Sequence, residues 1–168
     1  MTKLILKTSK LHALNDSEKV DMENLTFDLS QFKIPSAMVV QESGVSHRVE
    51  REKNLSGEWQ ETGKYTLTFE VYDRPFIEMI LGNGGTEIGS PISVVVEGQD
   101  SLPIFDGVED GEFVPISFTG LAVKPKRVQK KVFVAQGKPM ADSWQYAEIK
   151  VVASSYSLGV VGNDPKTK

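Results

Sequence analysis

Cysteine is absent from this chain of 168 residues, so disulfides, thiolate metal sites and cysteine nucleophiles are all excluded. A reducing compartment, or an indifferent one, suits such a chain, and the cytoplasm is the expected location. Histidine is nearly absent too. His12 and His47 lie 35 positions apart, and neither has a second ligand at metal spacing beside it. Long apolar runs are missing: Leu4 to Leu6 is shorter than the core of a signal peptide, and nothing approaches the ~20 apolar residues of a membrane span. The expectation is a chain with no signal of its own and no membrane partner. Helical amphipathic stretches are scarce as well, and Gly82-Asn83-Gly84-Gly85 lacks the Lys and Ser/Thr of a phosphate loop. The acidic residues from Asp100 to Glu112 do not follow the alternating oxygen-ligand spacing of a calcium loop. No catalytic residue, metal site or cofactor is assigned, and no enzymatic activity is expected.

The most informative absence concerns charge of one sign. Phe113 to Ala141 contains no Asp or Glu, but Lys124, Lys126, Arg127, Lys130, Lys131 and Lys138 give it a charge of +6. Subtracting those six from the 19 basic residues leaves 13 against 23 acidic ones, so a net charge of -4 hides a basic patch on a body near -10. Pro75 to Val123 shows the reverse, with no Lys or Arg and with Glu78, Glu87, Glu97, Asp100, Asp106, Glu109, Asp110 and Glu112. This asymmetry points to an anionic partner at one place.

The dominant rhythm of the chain has period two. From Lys64 to Asp73, Tyr65, Leu67, Phe69 and Val71 alternate with more polar residues, as in a half-buried strand. Ile92 to Glu97, Val114 to Val123, Val132 to Gln136 and Gln145 to Ser155 read as further strands. In the last, Ala147, Ile149, Val151 and Ala153 are expected to face inward, opposite Trp144, Tyr146, Glu148 and Lys150. Leu25 to Leu29 and Ala37 to Gln41 precede a break at Gly44, and Leu4 to Lys7 is an edge-strand candidate. One helix is predicted over Arg74 to Leu81, started by Pro75 and stopped by Gly82. The pattern predicts an all-β fold with one short helix, a small OB-like β-barrel. Its expected divisions are an N-terminal segment 1–24, a barrel domain 25–157 and a mobile tail 158–168.

Charge and aromatic groups coincide in the basic segment, which ends in Lys130-Lys131-Val132-Phe133. Lys and Arg neutralise phosphates and release counterions, while aromatic faces stack on unpaired bases. Lys124, Lys126, Arg127, Lys130 and Lys131, expected on a hairpin loop, are the candidate phosphate contacts. Phe133, Trp144 and Tyr146 are the candidate stacking platforms, with Trp59 and Tyr72 as second choices. A groove so lined suits a single strand better than a duplex, whose bases are already stacked. DNA and RNA both stay open, as does a homo-oligomer. The alternative is a structural or assembly protein, such as a phage virion component or self-association module, that uses the same aromatic face and binds no nucleic acid. His47, within the alternating charges from Ser46 to Lys53, reads as part of a solvated strand or loop face.

Phe113-Val114-Pro115-Ile116-Ser117-Phe118-Thr119-Gly120-Leu121-Ala122-Val123-Lys124-Pro125 resembles a segment of small accessory proteins of Gram-positive conjugative plasmids, integrative elements and phages. These include YdcP-like proteins and single-stranded DNA-binding proteins with an OB-type fold. The order of strands from Val45 to Tyr156 is similar too. The resemblance implies an accessory role in replication or transfer of a mobile element, with single strands protected during those steps. The chain departs from housekeeping single-strand binders at its end, Asp164-Pro165-Lys166-Thr167-Lys168, which is not an acidic, Gly-rich recruiting tip.

Overall fold

The computed structural model describes residues 25–159. The edge strand expected at Leu4 to Lys7, the segment 1–24, His12 and nearly all of the tail 158–168 lie outside the described residues. Seven strands and one α-helix form the described chain. The all-β class with one short helix is therefore correct. The described residues group into two compact units, one of Lys33–Leu121 with residues 152–159, the other of Ala122–Val151 with residues 25–32.

The larger unit is a set of antiparallel strands in the order β3-β2-β1-β4-β7. β1 spans Met38–Lys53, β2 Trp59–Asp73, β3 Ile92–Gln99, β4 Phe113–Thr119 and β7 Ser155–Leu158. The period of two in β2 determines the core. Leu67, Phe69 and Val71 are fully buried, and they pair with Val96, Val94 and Ile92 of β3. Val40 lies opposite both Val71 on β2 and Val114 on β4, which carries the same apolar face across the unit. Phe69 sits at its middle, with Phe118 edge-on at 5.7 Å and Tyr156 tilted at 4.7 Å between ring centroids. Burial there pushes the Tyr156 phenol above its ordinary pKa.

The helix α1, Arg74–Gly82, begins directly after β2 with Pro75 in its first turn, where a missing N–H costs nothing. Its Ile77 is buried, and the Arg74 amide donates to the carbonyl of Ala37 at 2.9 Å, fixing the helix start beside the start of β1. The carboxylate of Glu50 on β1 ties three strands together. It accepts from the Thr66 hydroxyl of β2 at 2.9 Å and from the Gly98 amide of β3 at 2.7 Å. Glu50→Ala would leave the buried Thr66 hydroxyl and the Gly98 amide without that acceptor. It is expected to cost about 1–3 kcal/mol in urea unfolding, whereas Glu50→Gln, which keeps an acceptor oxygen, should cost less than 1 kcal/mol, as a rough figure.

Several local expectations are corrected. β1 runs through Gly44 instead of stopping there, absorbing the irregularity as a register shift between Val40 and Val45. The single strand expected from Val114 to Val123 is broken at Gly120, whose φ of 69° lies in the left-handed region. A Cβ at Gly120 would come within 2.5 Å of the Ser154 Oγ. Leu25 to Leu29 is not a strand: only Phe27 bridges to Val123, and a 3-10 turn follows at Leu29–Gln31. Val132 to Gln136 is not one either, because the preceding strand ends at Val132. Closure into an OB-like barrel is not found in the ladders. β3 and β7 stand at opposite ends of the strand order of this unit and share no ladder among the described residues. Among those residues, no helix is long and apolar enough to cross a membrane.

Candidate nucleic-acid interface

The smaller unit is dominated by a two-stranded ribbon, β5 (Ala122–Val132) beside β6 (Ala141–Ala153). All eight candidate residues lie on it or on its connection. Val123 and Pro125 anchor the start of β5, where both are buried. Phe27 covers the outer edge there, its amide donating to the Val123 carbonyl at 2.8 Å. Pro125 has no N–H to offer a neighbouring strand, which suits an edge position. Beyond it, Lys126, Arg127, Lys130 and Lys131 are exposed. The basic residues therefore stand on an extended strand, not on a loop. Alternating Val128 and Val132 with long charged side chains gives β5 enough apolar character to extend, while lysine along a free edge discourages pairing with other strands.

Lys126 Nζ lies 3.2 Å from a Glu148 carboxylate oxygen, and Lys131 Nζ lies 3.3 Å from one of Asp142. The partners ascend on one strand as they descend on the other, so the strands run antiparallel. Both pairs are solvent-exposed and worth about 1 kcal/mol or less. Phosphates can displace them at small cost. Arg127, Lys124 and Lys130 take part in none of the described ion pairs. Arg127 instead lies over Trp144, its guanidinium carbon 5.7 Å from the ring centroid. From Ala122 to Val151 there are seven basic residues against Asp142 and Glu148, a net charge of +5, which leaves -9 for the rest of the chain.

Phe133 is 73% exposed, Trp144 57% and Tyr146 38%. All three stacking candidates thus present their rings to solvent. The inward face expected for β6 is not formed, however. Ala147 and Ile149 are exposed, Val151 is half-buried and only Ala153 is buried. Val134 and Met140 on the connection are exposed as well. The ribbon and its connection thus expose six large apolar side chains, Phe133, Val134, Met140, Trp144, Tyr146 and Ile149.

The remaining candidates divide. Tyr72 is half-buried on β2, with Phe113 edge-on to it at 5.8 Å. Trp59 is exposed at the far end of β2, with Lys53 Nζ 5.3 Å from its ring centroid. His47 is exposed beside Tyr65, and no group of three metal-ligating side chains occurs among the described residues. Sequence reasoning missed the two carboxylates that partner Lys126 and Lys131. Asp142 and Glu148 are the two acidic residues between Phe113 and Val151, and that was the available signal. Compared with protein-family models, with curated proteins and with solved structures, the chain matches none.

Proposed function

We propose that this ribbon binds single-stranded DNA with little sequence preference, and that the protein serves replication or transfer of a plasmid, integrative element or phage in the cytoplasm. The observation that carries this reading is the coincidence, on one exposed ribbon, of unpaired cations with three solvent-facing aromatic rings. Lys124, Arg127 and Lys130 hold phosphates directly; Lys126 and Lys131 exchange a carboxylate for one. Phe133, Trp144 and Tyr146 stack on bases, and Arg127 above Trp144 adds a second flat surface. No catalysis is assigned.

An OB-like barrel belongs to the same proposal. Gln99, the last residue of β3, donates to the carbonyl of Ser154, just before β7, at 3.5 Å. That contact between the two ends is what supports an OB-like arrangement, a type of barrel that is itself partly open.

The test is fluorescence anisotropy of labelled oligo-dT and of a duplex of equal length, at low and moderate salt. Salt-sensitive binding that favours the single strand is expected, and Phe133→Ala with Trp144→Ala should weaken it at least tenfold, since each stacked base is worth about 1–3 kcal/mol. No binding at micromolar protein would sink the reading. In that case the exposed apolar ribbon favours the assembly alternative, in which copies meet through this surface. Mass measurement would then show a ring or filament that forms without nucleic acid.

A further inference from the structure

The chain has two tryptophans, and both are largely exposed, Trp59 at 65% and Trp144 at 57%. Tryptophan is on average a well-buried residue, so two such rings in water are unusual. Each also carries a cation over its face, Lys53 at 5.3 Å and Arg127 at 5.7 Å. Only Trp144 belongs to the ribbon. Trp59 lies in the other unit, on the hairpin of β1 and β2, and it lines an open groove of about 840 Å³. That volume lies within the range of small-ligand sites.

A local irregularity lies beside this groove. A strict period of two would place Arg48 and Trp59 on opposite faces of the hairpin, because Trp59 pairs with Lys53, five positions beyond Arg48. Between the pairs Val49–Tyr65 and Arg51–Glu61, however, β1 advances by two residues and β2 by four. The surplus on β2 bulges outward at Thr62, Gly63 and Lys64. Gly63 takes a φ of 78°, and the Thr62 hydroxyl receives the Lys64 amide at 3.2 Å while donating to the Glu50 carbonyl at 3.3 Å. A bulge sharpens the twist of a ribbon, and here Arg48, Arg51 and Trp59 line one concavity.

Two guanidinium groups, Arg48 and Arg51, and two carboxylates, Glu50 and Glu97, line the groove beside Trp59. One oxygen of Glu50 is engaged twice, by the Thr66 hydroxyl and the Gly98 amide, and serves the groove as floor. Arg48 takes part in none of the described ion pairs. Arg51 meets Glu61 at 3.5 Å with both side chains more than 60% exposed, a pairing too weak to hold it from a phosphate. Two guanidinium groups beside the Trp59 ring, one face of which carries Lys53, match a phosphate and its base.

We propose that this groove is a second nucleotide-binding site, in which Trp59 stacks an unpaired base and Arg48 and Arg51 hold the adjoining phosphate. The site extends the reading of the protein as a single-strand binder and rests on that reading. It also explains why the bulge and the exposed Trp59 occur on one hairpin, where neither contributes to the core.

Two single-tryptophan variants separate the sites. Trp144→Phe leaves Trp59 as the reporter, and Trp59→Phe leaves Trp144; both rings are exposed, so neither change disturbs packing. Titrated with oligo-dT, each variant should show quenching of its remaining tryptophan. Arg48→Glu with Arg51→Glu should abolish the Trp59 signal and leave that of Trp144 intact. Trp59→Ala should weaken oligo-dT binding about tenfold, the effect of losing one stacked base. Quenching of Trp144 without Trp59 would overturn the groove and keep the ribbon. Quenching of Trp59 without Trp144 would keep the groove and remove the ribbon as the strand-binding surface. A silent result from both would overturn the groove together with the reading it extends.

Discussion

Phe69→Ala is expected to lower the unfolding free energy by about 3–5 kcal/mol, because it removes a ring that is fully buried. The loss has two parts, the transfer energy of the ring and the space left behind. That space cannot easily refill. Phe69 is flanked in register by Val45 of β1 and Val94 of β3, and its neighbours Phe118 and Tyr156 are held by the β4–β7 ladder. A domain of ordinary size has about 5–15 kcal/mol of stability in all, so this one change removes a large share of it. Urea and thermal unfolding followed by circular dichroism would measure it, with a fall in Tm of about 10 °C or more. Phe133→Ala is the control. That ring is 73% exposed, and its loss should change stability by no more than about 0.5 kcal/mol. Equal effects at the two positions would mean that the core is not centred on β2.

Lys130→Glu with Lys131→Glu is expected to weaken oligo-dT binding by at least about tenfold and to flatten its salt dependence. If each lysine neutralises one phosphate, losing both should reduce the slope of log K against log salt by about 1.4, at ~0.7 per contact for a single strand. The reversal acts differently at the two positions. Lys130 is free of the described ion pairs, so its substitution removes attraction and adds repulsion toward the strand. Lys131 faces Asp142 at 3.3 Å, so glutamate there also sets two carboxylates side by side. On an exposed ribbon that repulsion is small, and thermal stability should hardly move. An affinity and a salt slope that both stay unchanged would remove the ribbon from the binding surface.

Much of the fold was legible in local sequence. The alternation of Leu67, Phe69 and Val71 determined a strand and its buried face, and Pro75 followed by Phe76, Ile77, Ile80 and Leu81 determined the start and type of α1. The eight candidate contacts were legible as a set because charge and aromatic content are properties of composition, and the structure brings all of them to one ribbon. Their setting was not legible. Ala147 and Ile149 have the spacing of an inward face, yet remain wet, because spacing specifies a face and only a second layer can cover it. The pairing of Lys126 with Glu148, 22 positions away, depended on which strand came to lie beside β5.

The sequence by itself determined the class of structure, the placement of the helix and the separation of charge, since each follows from neighbours within a few positions along the chain. Tertiary structure decided the rest. It broke β4 from β5 at Gly120, where Ser154 leaves no room for a Cβ, and it carried β1 through Gly44. It also set Arg48, Arg51 and Trp59 around one groove. These outcomes depend on register and on contacts between residues far apart in the chain, and no periodicity within a single strand encodes them.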